Sequence, residues 1–550
     1  MNQEAFKEFI ENKDKKDFDK IKIQIVKKYK LNKIPKNIDL LLENPDSNIR
    51  TKPSRTISGV TPVAIMTMPM KCSHGTCSFC PGGPGSYFGD VPQSYTGNEP
   101  ASMRAIRNNF DPYLQVFNRL EQYALLNHDF SKCEVIIMSG TFLSSPKDYI
   151  DYFIKYMYKA FNDFGELFFS NDKFQFEKFK EFFELEGNFK DSKRIKKVQE
   201  KILVIKRDCE LEEEKLRNET TKCRVVALVI ETKPDYGKEK YINELLRLGT
   251  TRVEIGVQSL YDEVLKFTNR GHTLKDTIES TQLLKDSFLK VTFHTMPGLP
   301  LSNKERDIEM FKELFSNQDY KPDSLKIYPC LVMPGTALYG LWKLGKFNPV
   351  TTEEAADIIS EIKSYIPRYV RIYRVDRDIP NNVIAAGVDK TNLRQYVFEI
   401  IKRKQIKCNC IRCREPRNRE VNWNNIKINR IDYEASNGQE IFISIDDIRN
   451  DILLGFLRLR IPYKPFRPEI TERSAGIREV HVYSNATPLG QIGNVQHRGI
   501  GKKLMLEAER IAKEEFNVKK LLVISGIGVK EYYKNNFNYR KDGVYMSKEL

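Results

Sequence analysis

Three cysteines, Cys72, Cys77 and Cys80, crowd into "KCSHGTCSFCPGGPG" (71–85), ahead of a glycine-proline run. Clustered thiolates bind zinc or iron–sulfur clusters, so the C-x4-C-x2-C spacing reads as a metal loop. A structural zinc ion takes four protein ligands. No fourth cysteine is near, and His74 is the further ligand type inside the loop. A [4Fe–4S] cluster held by three thiolates instead keeps one iron open to chelate a small molecule. A second trio, Cys408, Cys410 and Cys413, lies in the arginine-rich "CNCIRCREPRNRE" (408–420). Three close thiols outside any packed element suggest a loop stapled by zinc, with a fourth ligand from elsewhere. Of the six histidines, His74, His128, His272, His294, His481 and His497, the candidate is His74, which would tie the two cysteine loops together. The nearby Arg412, Arg414, Arg417 and Arg419 suit phosphate contact or, alternatively, a solvated loop. A third site is Gln496-His497-Arg498-Gly499-Ile500-Gly501, opening a helix with apolar Leu504, Ala508 and Ile511. Its glycines permit close backbone approach, and free N–H groups at the helix start would meet a pyrophosphate.

These residues need elements to hold them. Short β-branched runs alternate with helical stretches from about residue 60: strands are expected at 62–68, 134–139, 225–231, 252–258, 290–295 and 324–329. Between most of them lie amphipathic segments such as "PYLQVFNRLEQYALL" (112–126) and "KDTIESTQLLKDS" (275–287). Such alternation means parallel strands with right-handed crossovers, and in barrel-like folds the carboxyl ends of the strands carry the chemistry. The first cysteine loop follows the first strand. Cluster spacing, strand-end placement and a parallel barrel together indicate a radical S-adenosylmethionine (SAM) enzyme over a zinc site. One crossover is oversized: residues 160–222, rich in Phe, Lys and Glu, read as a charged helical insertion at the barrel rim. After the second cysteine trio, residues 426–550 run strands, helix, strand, as an independent α+β domain would. The expected domains are therefore 1–55, a basic extension; 56–395, the barrel; 396–425, a Cys-rich linker; and 426–550.

Composition supports this division. A chain of 550 residues makes two or three domains, with 40% apolar and 30% charged residues as in globular proteins. No apolar run reaches the roughly 18 residues a membrane helix needs, and "MNQEAFKEFIENKDKK" has no signal-peptide core, so a cytoplasmic protein without membrane contact is expected. In that reducing compartment cysteines serve as ligands or packing, and the isolated Cys133, Cys209, Cys223 and Cys330 are read as small buried hydrophobes. The formal charge of +16 favours a polyanionic partner. Basic residues gather at 13–37, either a solvated helix face or a nucleic-acid-binding extension.

The chain resembles the catalytic subunit of Elongator, a family of tRNA wobble-uridine carboxymethyltransferases, in its stand-alone archaeal form. The matching stretches are "KPSRTISGVTPVAIM", "CSFCPGGP", "QSYTGNEPASMRA", "ETKPDY", "EIGVQS", "NRGHT", "KIYPCLVMPGTALY" and "YRVDRDIP", then "AAGVDKTNLRQ", "CNCIRCRE", "QHRGIGKKLM" and "YYKNNFNY". They cover nearly everything except the first 50 residues and the 160–222 insertion. C-x4-C-x2-C departs from the C-x3-C-x2-C of most radical-SAM enzymes, a variation the family shares. The Q-x-x-G-x-G turn is similar to the acyl-CoA turn of GCN5-related N-acetyltransferases. The fold implied is a partial (βα)6 radical-SAM barrel followed by an α+β acetyltransferase domain.

The resemblance further implies SAM chelation at the open iron of Cys72, Cys77 and Cys80, and release of a 5′-deoxyadenosyl radical. Ser139-Gly140-Thr141 ends the second strand, where a glycine lets backbone approach the SAM methionine ammonium. Glu254 and Gln258 are placed to meet SAM hydroxyls or carboxylate. Lys326 and Tyr328 alternate to one face of the sixth strand, toward the reaction chamber, with a structural ion pair as the other role for Lys326. Tyr532 or Tyr533 would serve the CoA sulfur, the alternative being aromatic packing.

The two cofactor sites in one chain point to one reaction. The radical abstracts hydrogen from the methyl of acetyl-CoA, the carbon radical adds to C5 of uridine 34, and thioester hydrolysis leaves a carboxymethyl group. Lysine N-acetylation from acetyl-CoA and a non-catalytic tRNA scaffold are the competing readings. Expected partners are the tRNA anticodon stem-loop and further Elongator-type subunits or a second copy of the chain.

Overall fold

The computed structural model describes residues 3–13, 15, 17–44, 49, 51, 56–185, 191–417, 419–483 and 499–550. Gln496, His497 and Arg498 of the expected CoA turn lie outside them. Seven parallel strands form the first sheet: β1 (Thr61–Met66), β2 (Lys132–Met138), β3 (Arg224–Thr232), β4 (Arg252–Gln258), β5 (Lys290–Thr295), β6 (Ser324–Ile327) and β7 (Arg371–Arg374). They lie side by side in chain order, the half-barrel that right-handed crossovers produce. β7 is one strand more than the six expected. Its sequence, RIYR, carries two arginines in four residues, because one face lines a polar chamber rather than a core.

Period-two alternation sorts each strand into two faces. On β4, Val253, Ile255 and Val257 are fully buried against the outer helices, while Arg252, Glu254, Gly256 and Gln258 line the barrel interior. Val135, Ile137, Leu228, Ile230, Val291, Phe293, Leu325 and Ile327 continue the packed face. Each such side chain contributes about 1.5–3 kcal/mol by leaving water. That rigid face holds the polar one in place. β1 and β7 are the two edges and do not pair with each other, so the half-barrel is open on one side.

The insertion does not sit on the rim. Its helices Phe176–Phe182, Ser192–Ile205 and Leu211–Asn218 pack on the outer helices Pro112–Leu125 and Lys147–Phe168, through an aromatic cluster of Phe164, Phe168, Phe179 and Phe183. Phenylalanines that looked like a decorated charged segment are this layer's core. The basic N-terminal segment folds as three helices, Gln3–Asn12, Phe18–Lys28 and Asn37–Glu43, around Phe9, Phe18, Ile25 and Leu40.

The second sheet contains β8 (Ile426–Ala435), β9 (Gly438–Asp447), β10 (Ile452–Ile461), β11 (Ser474–Val482), β12 (Lys520–Val523), β13 (Arg540–Asp542) and β14 (Tyr545–Glu549). Their order is β8-β9-β10-β11-β12-β14-β13, antiparallel except for β11 and β12. That parallel pairing ends at Ile477–Val523 while β11 runs on to Val482. Helix Ile500–Glu514 begins there and buries Leu504, Ala508 and Ile511 on the sheet.

This domain docks beneath the amino ends of the barrel strands, on buried ions. Arg478 reaches Asp323 at 2.5 Å and Glu440 at 2.9 Å, Arg460 reaches Asp286 at 2.6 Å, and Arg458 reaches Glu479 at 2.9 Å. Lys285 adds contacts to Glu440 (3.3 Å) and Asp323 (3.7 Å), and Lys290 pairs with Glu479. Asp286, Asp323, Lys285 and Lys290 belong to the barrel half and the others to the second sheet, so the network welds the two domains.

Candidate active site

The cysteine loop at the carboxyl end of β1 is pinned from several elements. Cys72 N–H donates to Gln93 Oε1 (2.9 Å), Ser78 N–H to the Thr268 carbonyl (3.0 Å), and Asn269 Nδ2 to the Thr76 carbonyl (2.9 Å). Gly75 takes a positive φ of 87°, and its N–H closes a turn onto the Cys72 carbonyl (3.1 Å). A Cβ on Gly140 would lie 3.1 Å from Cys72 Sγ and 2.9 Å from Gln93 Cβ, so glycine is what lets the end of β2 approach the thiol. Thr141 Oγ1 lies 3.8 Å from the same sulfur.

Cations surround these thiols. Arg270 Nη1 donates to Cys77 Sγ at 3.2 Å, and its Nη2 donates to the Gly256 carbonyl at 2.6 Å. Lys233 donates to His74 Nδ1 (3.0 Å), which leaves the ring proton on Nε2, directed at Cys77 Sγ (3.3 Å). Burial, with Lys233 and Arg270 adding to it, lowers His74 to about 4, so its ring is neutral. Burial pushes the Cys80 thiol up to about 11, although the Ser94 N–H supports its sulfur at 3.1 Å. These thiols become ligands by releasing their protons to solvent as the metal binds.

His74 therefore belongs to the first loop and does not complete the second. Among the described residues the thiols of Cys408, Cys410 and Cys413 lie within 4.8 Å of one another, and no histidine, aspartate or glutamate joins them. Hydrogen bonds from Cys408 and Cys413 hold Cys410 well below the ordinary thiol range. The fourth side faces Lys363, whose Nζ is 3.7 Å from Cys413 Sγ. Cys72, Cys77 and Cys80 do not meet that mutual spacing. The two trios thus differ in size: one suits a single ion, the other a wider cluster.

From the cysteine loop a chamber of about 640 Å³ runs through the barrel interior toward the second domain. Its middle is a charged relay. Tyr95 Oη donates to Glu231 (2.9 Å), Lys326 bridges Glu231 (3.1 Å) and Glu254, and His294 Nε2 meets Glu254 at 2.9 Å. Burial alone would pull Lys326 down, but Glu254, Tyr328 and Glu231 outweigh it and hold the ammonium well above its usual range. Glu254 is held correspondingly low, burial being outweighed chiefly by Lys326. Lys326 and Glu254 are thus a locked ion pair in the chamber wall. Tyr328 lines the chamber beside His294, with ring centroids 5.6 Å apart. Gln258, at φ 68°, presents a buried Oε1 without a partner among the described residues, and Ser139 and Gly140 face the same space. Toward the second domain the lining passes to Arg252, Tyr373 and Arg371, and Arg371 Nη1 donates to Tyr483 Oη at 2.6 Å.

At the far site Gly499 has φ 78°, and the helix starts at Ile500. Tyr532 Oη lies 3.3 Å from where a Cβ on Gly501 would sit. Tyr532 is half-exposed and faces the turn, whereas Tyr533 is buried in the sheet core. Of the four isolated cysteines, Cys133, Cys223 and Cys330 are fully buried and Cys209 partly so. The sequence pattern did not mark Gln93, Tyr95, Lys233, Arg270 or Lys363. Lys233 and Arg270 sat inside the motifs "ETKPDY" and "NRGHT", which was the available signal.

A parallel half-barrel with three cysteines at its carboxyl-end mouth is the architecture of a radical SAM enzyme. Residues 193–314 match the family model of the Radical SAM superfamily, and residues 322–403 match the Radical_SAM C-terminal domain. The "tRNA uridine(34) acetyltransferase" of Methanocaldococcus infernus is 47% identical, covering 100% of this chain and 98% of its own. "Elongator complex protein 3" of Saccharomyces cerevisiae is 41% identical, over 95% of this chain and 90% of its own. The solved structure of the archaeal Methanocaldococcus infernus Elp3 with an N-terminal deletion superimposes with a TM-score of 0.72 at 44% identity, covering 90% of this chain and 100% of that one. The chain belongs to the family of Elongator complex protein 3 and the archaeal tRNA uridine(34) acetyltransferases. Among the described residues no helix is long and apolar enough to cross a membrane.

Proposed function

We propose that the protein modifies uridine 34 of tRNA, adding a carboxymethyl group to C5 from acetyl-CoA. The observation that carries this is the chamber that starts beside the cysteine loop and runs to Arg371, whose guanidinium donates to Tyr483 of the second domain. A reaction that joins the two cofactors needs a path that leads from the cysteine loop toward the second domain.

Cys72, Cys77 and Cys80 fit a [4Fe–4S] cluster: they are too widely set for one ion, cationic around Cys77, and approached closely by the backbone at Gly140. Bound there, the cluster and SAM supply a 5′-deoxyadenosyl radical able to take hydrogen from an acetyl methyl group. The protein's own residues do the rest. Gln258 Oε1 and the Ser139–Thr141 backbone orient SAM, and Tyr328 faces the reacting space. The Lys326–Glu254 pair fixes the wall and keeps its charge constant during the reaction. Gly499–Gly501 receives the CoA pyrophosphate at the helix start, and Tyr532 stands where it can hold or protonate the CoA sulfur.

Cys408, Cys410 and Cys413 fit three corners of a zinc site, with the fourth left to a ligand other than His74. The N-terminal helices and the chamber mouth serve the tRNA, the mouth receiving an unstacked anticodon base. The test is to incubate anaerobically reconstituted protein with tRNA, SAM, acetyl-CoA and a reductant, then digest the tRNA for mass spectrometry. A carboxymethyl increment on uridine is expected. Acetylated protein lysines with unmodified tRNA would overturn the reading.

A further inference from the structure

The arginines of the cysteine-rich joint fall into two groups. Arg414 is buried and spoken for: Nη1 meets Asp446 at 2.8 Å and Nη2 the Arg368 carbonyl at 2.8 Å. Arg419 donates to the carbonyls of Glu415 (2.8 Å) and Asn450 (3.5 Å). Arg412 and Arg417 instead line the chamber, together with Arg371 of β7 and Arg394 of the helix Leu393–Arg403. Four guanidiniums from three elements share this end of the chamber, and the carboxylate that pairs with them is Glu415, with Glu134 acting on Arg371 from further off. The Glu415 carboxylate is already paired with Arg371 and lies 3.6 Å from Arg417 Nε. Arg394 donates to the Tyr373 carbonyl at 3.3 Å, and the carboxylate that acts on Arg412 is again Glu415. The buried Nε of Arg371, a residue 7% exposed, and that of Arg412 have no hydrogen-bond acceptor among the described residues.

Crowded like charges in a concave, partly dry site repel one another and focus a positive potential outward. An entering oxyanion would relieve that repulsion and satisfy the open N–H groups. Guanidinium forks match phosphate oxygens two at a time. We propose that Arg371, Arg394, Arg412 and Arg417 form a phosphate subsite at the second-domain end of the chamber, which grips the RNA backbone beside the base that enters. The inference rests on the tRNA reading above. Coenzyme A also carries phosphates, but the Gly499–Gly501 helix start is the place proposed for them, whereas these arginines sit at the edge strand β7 and the joint between the domains.

The test uses the full-length protein with its cluster reconstituted. An anticodon stem-loop RNA carrying uridine at the wobble position is titrated between about 50 and 200 mM salt. Arg394→Gln and Arg412→Gln should each weaken binding at low salt and make the log K versus log salt slope shallower by about 0.7–1. Arg412→Lys, which keeps the charge, should hold the slope near wild type. Coenzyme A titrated into the same variants separates the two phosphate sources. A flatter RNA slope with unchanged CoA affinity assigns the subsite to RNA, and weaker CoA binding with an unchanged RNA slope assigns it to the cofactor. If neither moves, the subsite is overturned. It is equally overturned if the Gln variants lose the metal of the Cys408 trio while RNA binding stays the same, since the arginines would then be counterions of the thiolates. Wild type that binds no RNA would sink the tRNA reading itself, and the CoA arm alone would then decide the subsite.

Discussion

Replacing Asp323 with Asn should loosen the weld between the two domains more than any exposed change could. Asp323 is fully buried, takes the Arg478 guanidinium at 2.5 Å, and has Arg458 and Lys285 at 3.6 and 3.7 Å. Burial pushes its carboxyl up, but Arg478, Lys285 and Arg458 outweigh that and hold it well below the usual carboxylate range. Its stabilising contribution is therefore complete above the unfolded value near 3.9 and is lost as pH falls below it. Asn keeps the shape and removes the charge, leaving three buried cations to share Glu440 and Glu479. Breaking a buried pair in this way costs about 3–5 kcal/mol. With a urea dependence of roughly 2 kcal/mol per molar, the midpoint for the second domain should drop by about 2 M at neutral pH. Protease should then cut between the domains sooner than in wild type. Asp323→Asn combined with Arg478→Met should recover part of the loss, because the orphaned cation is gone. A single mutant within about 0.5 kcal/mol of wild type would refute the claim that these ions hold the interface.

Other outcomes follow from the site. Burial raises Asp376, in the chamber wall, to about 7. It therefore costs stability progressively as pH climbs from about 4 to 7, and Asp376→Asn should raise Tm clearly at pH 8 and hardly at pH 4, as a thermal melt at each pH would show. Gly140→Ala places a methyl against Cys72 Sγ and Gln93, so the reconstituted protein should show reduced iron–sulfur absorbance while its CoA affinity is kept. Tyr532→Phe should slow CoA release about 100-fold with little change in stability, whereas Tyr533→Ala should destabilise the second domain by about 3 kcal/mol through the cavity it leaves. The opposite pattern would exchange their roles.

Much of this molecule could be read from local chemistry. Six strands of the half-barrel announced themselves because one face of each packs β-branched residues against helices. β7 did not, since two of its four residues are arginines turned to a chamber that no local pattern reveals. Cysteine spacing found both cysteine loops, but which residues stand beside them is set by folding. His74 sits three residues before Cys77, and the chain keeps it there, against Lys233 and Arg270, away from Cys408. Lys326 and Tyr328 share a face as their alternation requires. That Lys326 is locked to Glu254 and Glu231, residues 72 and 95 positions away, needed the sheet order to bring three strands together. The insertion was misplaced for a similar reason: its phenylalanines looked like surface composition until the outer helices covered them.

The central claim is that acetyl-CoA and SAM meet in one chamber. It is tested most directly with acetyl-CoA deuterated on its methyl group, incubated with tRNA, SAM, reductant and the reconstituted protein. Deuterium is expected in the recovered 5′-deoxyadenosine and two retained deuterons in the carboxymethyl group on uridine 34, both abolished by Cys77→Ala. Unlabelled 5′-deoxyadenosine, formed at an undiminished rate without tRNA modification, would contradict it.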